Sequence, residues 1–381
     1  MRRIATAITA VTMLVSPLAA QQEVTLSADE VLRPWHNALA KRVEMPVAPA
    51  TPELADETVL TRIAFGSCNK QDGSQDIWQA IAAREPQAFL LIGDNVYGDT
   101  GWDGGADLGS LRAAYALQAS HPEFVSFRNR IPMLVTWDDH DFGFNDGGAS
   151  FAFRGFAEDI FEHYWNAPAD VRAREGIYFS RMYGEAGKRT QVIVLDTRYF
   201  RSDLRKPAPG EEGPALGRYL PDTSDDAQML GKEQWRWLAA ELAKPADLRI
   251  VVSSIQVLSQ AHGWEAWATM PKQRERLLGM LARRAGGGLM LLSGDRHSGG
   301  IYSLVPEGED EAMVEVTSSS LNASFSTTEE ATKREPDRAR ISPFIGEENF
   351  GLIEIDWEAR DIVLSLRGDT GALRASHTIG F

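Results

Sequence analysis

A chain of 381 residues that is 43% hydrophobic and 24% charged is long enough to bury a large core, and no stretch of it is low-complexity. Its net charge of −15 repels nucleic acid and anionic lipid headgroups at long range. This argues against a constitutive nucleic-acid binder but leaves phosphate esters open as substrates, because bound metal ions override the global field locally.

Residues 1–20 carry Arg2 and Arg3, then the apolar Ile4 to Leu18, then Ala19-Ala20 before a polar Gln21-Gln22-Glu23. These are the three parts of a secretory signal peptide, and the run is too short and too rich in small residues for a comfortable membrane span. The expected location is therefore periplasmic or secreted, with no membrane span once the segment is removed. Residues 21–60 are rich in Pro and Ala and read as a linker with one short helix near Ala28–Ala40.

From Arg62 a regular alternation begins. Strand Arg62–Gly66 precedes a helix at Asp76–Arg84, and strand Ala88–Ile92 precedes a Gly- and Asp-rich loop and helix Leu108–Gln118. Strand Met133–Thr136 precedes an amphipathic stretch, Phe151–Trp165. Two strands follow close together, Ile177–Tyr183 and Gln191–Asp196, and then a long loop, Phe200–Met229, of the length that tends to carry function. Helix Lys232–Leu242, strand Arg249–Ser254, helix Gln273–Arg284 and strand Leu289–Ser293 complete the alternating part. The rest is β: Ile301–Val305, Met313–Ser318, Phe350–Trp357 and Asp361–Leu366, the last two joined by a hairpin-length connection. Alternation followed by hairpins predicts an α/β fold of two mixed sheets, parallel at the start and antiparallel at the end, with helices outside.

Four strands end in groups able to bind metal. They are Phe65-Gly-Ser-Cys68, Leu91-Ile-Gly-Asp94 with Asn95-Val-Tyr97, the run Trp137-Asp-Asp-His-Asp141, and Leu292-Ser-Gly-Asp295 with Arg296-His297. Parallel strands ending this way bring their ligands to one sheet edge, where open α/β sheets place their sites. Cys68 is the chain's single cysteine, so an exported chain cannot pair it internally. A buried small residue and a metal ligand both fit it, and its place at a strand end favours the ligand. Asp94 has two oxygens with which to bridge two ions, and a Tyr97 phenolate suits a hard trivalent metal such as iron. The Asp138 to Asp141 run crowds three carboxylates around His140, which repel unless a cation is present. Asn145 offers an amide oxygen of the kind calcium accepts. Asp295 and His297 lie two apart and point the same way in extended geometry. Arg296 belongs either to the site or to a surface ion pair, and Asp196 reads as supporting or structural. His262, Trp264 and Trp267 sit in a loop that reads either as the mouth of the site or as simple packing. His36, His121, His163 and His377 have no such context and are assigned to structure.

Together Ser67-Cys68-Asn69, Gly93-Asp94-Asn95-Val96-Tyr97, Trp137-Asp138-Asp139-His140-Asp141 with Asn145, and Gly294-Asp295-Arg296-His297 resemble the alkaline phosphatase D family of metallophosphatases. The resemblance implies a four-layer α/β/β/α sandwich of the calcineurin-like phosphoesterase kind over residues 61–381. It also implies iron (Fe3+) with calcium (Ca2+). By motif match Cys68 and Tyr97 would hold iron, Asp94 would bridge, and Asp295 would join the cluster. Asn145 would sit on the calcium side, while Asp139 and His297 match as further metal-site residues. Longer members carry an N-terminal β-sandwich domain, for which residues 21–60 are too few. The implied reaction is hydrolysis of a small phosphomonoester or phosphodiester by hydroxide formed from a metal-bound water. Arg296 or Arg154 would steady the equatorial oxygens, and His140 would protonate the leaving oxygen or orient the water. The alternatives are a phosphodiesterase or phospholipase with the same metals, and an exported calcium-binding protein without turnover.

Overall fold

The computed structural model describes residues 27–381, so the signal-like residues 1–20 lie outside the described residues. Twelve strands form two six-stranded mixed sheets. They are β1 (Arg62–Gly66), β2 (Ala88–Ile92), β3 (Met133–Thr136), β4 (Phe179–Tyr183), β5 (Thr190–Val194), β6 (Leu248–Val252), β7 (Gly288–Ser293), β8 (Gly299–Leu304), β9 (Met313–Ser318), β10 (Asn349–Asp356), β11 (Asp361–Gly368) and β12 (Leu373–Gly380). One sheet has the order β12-β11-β10-β1-β2-β3, the other β4-β5-β6-β7-β9-β8. In the first, β1, β2 and β3 are parallel and β10, β11 and β12 continue antiparallel. In the second, β5, β6, β7 and β9 are parallel, flanked by antiparallel β4 and β8.

The period-2 alternation of strands decides the layering. Val192 and Val194 of β5, Ile250 and Val252 of β6 and Met290 and Leu292 of β7 join one core with Phe65, Leu90, Ile92 and Ile353 of the opposite sheet. Their neighbours Ile193, Val251 and Leu291 point the other way, into a second core with Trp235 and Leu238 of helix Gly231–Leu242 and Leu277 and Leu281 of helix Pro271–Ala282. On the outer side of the first sheet, Trp78 packs edge-on to Phe89 and meets Phe127 of helix Pro122–Arg128. The result is the α/β/β/α sandwich. Each large apolar side chain so buried contributes about 1.5–3 kcal/mol.

The two sheets are stitched at one end. Ser67, just past β1, forms a parallel bridge with Ser319, just past β9, and the Leu321 amide donates to the Ser67 carbonyl at 2.9 Å. This brings the carboxyl ends of both parallel sets to one place.

Some elements differ from those expected. Strand β12 was not anticipated: most of its side chains are at least partly exposed, so it lacks the apolar alternation that marks β10 and β11. Helices Pro122–Arg128 and Thr328–Arg334 were also unforeseen. Each is only seven residues long, too short to show a sustained helical period.

Helix Ala28–Leu39 starts with a Ser27–Glu30 capping box and packs on helix Arg154–Trp165. Buried Asp29 accepts the Gly155 amide at 3.0 Å and pairs with Arg33, which also reaches the Tyr199 hydroxyl. His36 is fully buried and stacks on Phe156 with ring centroids 4.9 Å apart, and neither ring nitrogen has a hydrogen-bond partner. Burial lowers its affinity for a proton below the ordinary value of 6.5. The unfolded chain then binds the extra proton, so this contribution to stability is present above pH 6.5 and is lost as the pH falls below it. Thermal melts at pH 7.5 and 5.5 should show a smaller acid-side fall for His36→Phe than for the parent chain. An equal fall in both would show that His36 does not contribute.

Candidate metal centre

Strand ends supply the site. Gly93, at φ +113°, lets β2 approach so closely that a Cβ there would stand 2.7 Å from the Asp138 Cβ. Five of the nine non-glycine residues with positive φ among the described residues belong to the site: Cys68, Asp94, Asp146, Asp295 and His297. Such conformations cost on the order of 1 kcal/mol or more and cluster where geometry serves chemistry. They also correct one expectation. Asp295 and His297 are not extended but lie at φ 66° and 52°, so they serve different sides of the cluster.

Four sets of ligand atoms, each within 4.8 Å, result: Cys68, Asp94 and His297; Asp94, Asp139 and His140; Asp138, Asp139 and Asp295; and Asp139, Asp146 and Glu265. Asp94 and Asp139 link them. Cys68 Sγ lies 3.3 Å from Asp94 Oδ2 and 3.0 Å from Ser319 Oγ. Tyr97 Oη lies 3.1 Å from His297 Nε2, while His297 Nδ1 bonds the Ala323 carbonyl, which fixes the ring. His140 Nδ1 lies 2.7 Å from Asp99. Of the three acids in the Trp137–Asp141 run, Asp141 is taken up by local structure. It accepts the backbone amides of Asp138 at 2.6 Å and Asn95 at 3.2 Å. Asp138 and Asp139 face the cluster.

The electrostatics fit cations. Burial, then the neighbouring aspartates, pushes Asp94 and Asp295 well above the carboxylate range. Burial lifts Asp138 to about 6 even though Arg198 opposes it. Burial likewise holds the Cys68 thiol and the Tyr97 phenol well above their usual values, and lowers His297 to about 4. Burial also works against charge on His140, but Asp139 and Asp99 outweigh it and raise it to about 10. Asp138 Oδ2 and Asp139 Oδ1 are buried with no hydrogen-bond partner. Buried anionic oxygens left unpaired are what a metal ion satisfies.

Beneath the cluster runs a buried ion network that sequence reasoning missed. Arg198 pairs with both Asp138 and Glu265, Arg201 lies 2.9 Å from Glu265, and Ser254 donates to Asp138 at 2.7 Å. Arg201 also holds the Asp146 and Gly147 carbonyls at 2.7 and 2.6 Å, and Tyr219 of the long loop bonds Asp146. The spacing Asp196-Thr-Arg198-Tyr-Phe-Arg201 straight after a buried strand was the available signal. Asp196 itself accepts the Trp137 indole at 3.0 Å and the backbone amides of Ile177, Arg198 and Tyr199, a structural duty.

Other expected residues sort clearly. A cleft of about 390 Å³ opens over the cluster, lined by Asp94, Asp139, His140, Asn145, Asp295, Arg296 and His297, and on its walls by Arg218, Trp264, Phe325 and Phe344. Arg296 lines this cleft and pairs with buried Glu335 at 2.5 Å, so its ion pair is internal to the site. Arg154 does not line it. Its guanidinium donates to the Ala149 carbonyl at 2.6 Å and lies over Tyr199. Trp267 is fully buried, with its indole donating to Ser253 at 2.9 Å, so it is core and not mouth. His262 is buried and bonds Gln256 at 2.9 Å.

Two facing mixed sheets whose strand ends hold a cluster of carboxylates, thiol, phenol and imidazole beneath an open cleft define a protein of the α/β/β/α class with side chains that could hold metal ions. The chain belongs to the PhoD-like phosphatase family, whose model matches residues 63–365. It is 22% identical over 270 residues to alkaline phosphatase D of Bacillus subtilis (strain 168), which covers 62% of this chain and 45% of that protein. The chain thus spans less than half the length of that relative. A solved structure described as that of PhoD superposes with a TM-score of 0.67 at 17% identity, covering 87% of this chain and 71% of the other, and shows the same fold.

The Arg198 network makes a prediction. Arg198→Met should leave buried Asp138 without its counter-charge and Glu265 with Arg201 alone, and cost about 3–5 kcal/mol in denaturant unfolding. Adding Asp138→Asn should return much of that loss.

Proposed function

We propose that this chain is an exported phosphoester hydrolase that works with iron and calcium. The observation that supports this reading best is the convergence of Cys68, Asp94, Tyr97, Asp139, His140, Asp295 and His297 on one cluster, five of which (Asp94, Asp139, His140, Asp295 and His297) line the open cleft. Cys68, Tyr97, His297 and Asp94 form the set that would hold iron, since thiolate, phenolate and imidazole are its ligands. Asp138, Asp139, Asp295 and Asp146, with the amide of Asn145 beside them, offer the oxygen ligands that calcium takes. Such cations supply charge neutralisation for phosphoryl oxygens and a water acidic enough to ionise near neutral pH.

The remaining work falls to the chain. Arg296, positioned by Glu335, directs a guanidinium into the cleft for an equatorial phosphoryl oxygen. Asp99 occupies Nδ1 of His140, leaving Nε2 to meet the leaving oxygen. The buried floor excludes water on all sides but the cleft. Export rests on residues 1–20. Among the described residues no helix is long and apolar enough to cross a membrane.

Purified protein loaded with iron and calcium should hydrolyse a chromogenic phosphomonoester or diester, and a chelator should abolish the activity. Asp94→Asn should remove nearly all turnover, and Arg296→Ala should cost about 100-fold. Tyr97→Phe should bleach a visible charge-transfer band. Full activity in Asp94→Asn, or calcium alone by metal analysis, would contradict the proposed centre.

A further inference from the structure

Phe325 is the most exposed large apolar residue among those described, at 71%, and of that group it lines the cleft. An aromatic ring left in water gains nothing from folding, and where it stands in a concave site it marks a contact surface for a ligand. Its ring stacks on His297 at 4.1 Å between centroids with planes 17° apart. His297 is itself immobilised by Ala323 on one nitrogen and Tyr97 on the other. One face of Phe325 is thus backed by a fixed ring beside the cluster, and the rest of the ring is open to the cleft.

A second aromatic ring meets the same cleft. Trp264 lines the same cleft under the Arg218 guanidinium, 5.1 Å from its ring centroid. Inorganic phosphate has no use for either ring. A flexible alkyl group would bury area against them but would not match a flat, backed platform. A planar aromatic group would both bury area and stack.

Resting on the phosphoester reading above, we infer that the preferred substrates carry a planar aromatic group, an aryl or heteroaryl ester, whose ring lies on Phe325 while the phosphoryl group meets the floor. Phe325 is then a specificity-determining residue, and Trp264 under Arg218 is a second aromatic contact in the same cleft.

Non-hydrolysable probes separate stacking from leaving-group reactivity. Phenylphosphonate and methylphosphonate carry the same acid on a ring or a methyl group. Binding of each to the metal-loaded full chain should be measured by calorimetry, for the parent, Phe325→Ala and Phe325→Tyr, alongside kcat and KM for phenyl phosphate and glycerol 2-phosphate. The parent should prefer phenylphosphonate. Phe325→Ala should reduce that preference about three- to tenfold, with the loss for phenyl phosphate appearing mainly in KM, and Phe325→Tyr should keep it. Because Phe325 is mostly exposed, its replacement does not threaten folding. Equal binding of the two probes by the parent would overturn the inference. So would a preference unchanged in Phe325→Ala, or a proportional loss for both probes, which would mean that the ring only supports His297. Selective phenylphosphonate binding with no turnover of any ester would overturn the hydrolase reading and leave the platform standing.

Discussion

Four carboxylates, those of Asp94, Asp138, Asp139 and Asp295, crowd together beneath the cleft, the first three of them buried, and the rest of the site is arranged around that fact. Two unit charges 4.8 Å apart repel by roughly 3.5 kcal/mol at an effective dielectric constant of 20. The described chain offers Arg198 and His140 against this, which is too little for four acids. Either protons or cations must make up the difference. Protons neutralise the acids but leave Asp138 Oδ2 and Asp139 Oδ1 without partners. Cations do both. Metal occupancy and the stability of this end of the sandwich are therefore linked, since any ion that binds only the folded chain stabilises it by mass action.

The strained backbone follows from the same constraint. Positive φ at Cys68, Asp94, Asp295 and His297 aims side chains at a centre that an extended strand end would miss. The cost is carried by the two-sheet core, and by the Ser67–Ser319 bridge that keeps the strand ends in register. Asp94 belongs both to the set with Cys68 and His297 and to the set with Asp139 and His140. One side of it carries a thiol and aromatic rings, the other is richer in carboxylate oxygen. On the proposed reading, a site so divided would distinguish two kinds of cation by donor type, with Asp94 as the shared oxygen ligand.

Most strands and the larger helices were legible because their apolar periodicity is strong, as in Phe89-Leu-Leu-Ile92 or Leu289-Met-Leu-Leu292. The strand-end motifs were legible because a ligand directly after a buried run has few other uses. What escaped detection depends on contacts distant in sequence. Glu265 lies in a Trp-rich loop and acquires meaning only when Arg198, 67 residues earlier, folds beneath it. Glu335 is an ordinary acid in a charged stretch until Arg296 meets it. Trp264 and Trp267 sit three apart with the same local composition, and only tertiary packing sends one to the cleft and the other to the core. Strand β12 was missed for the opposite reason: backbone pairing to β11 makes it a strand, and its side chains carry little of that information.

Floor and walls have different origins, and this separates two properties of the site. The floor consists of strand ends, so its geometry is set by sheet register and core packing. The walls come from connections: Leu216 and Arg218 from the 200–229 loop, Phe325 and Phe344 from the stretch between β9 and β10. Connections tolerate change without disturbing the core. On the proposed reading, substitutions at the wall tips act on which ester enters, while substitutions at strand ends act on whether cations are held at all. Glu335 is the exception, since it is a wall residue bound to the floor through Arg296. Through that ion pair the wall also fixes the Arg296 guanidinium, so on the proposed reading selectivity and turnover are coupled at this one point.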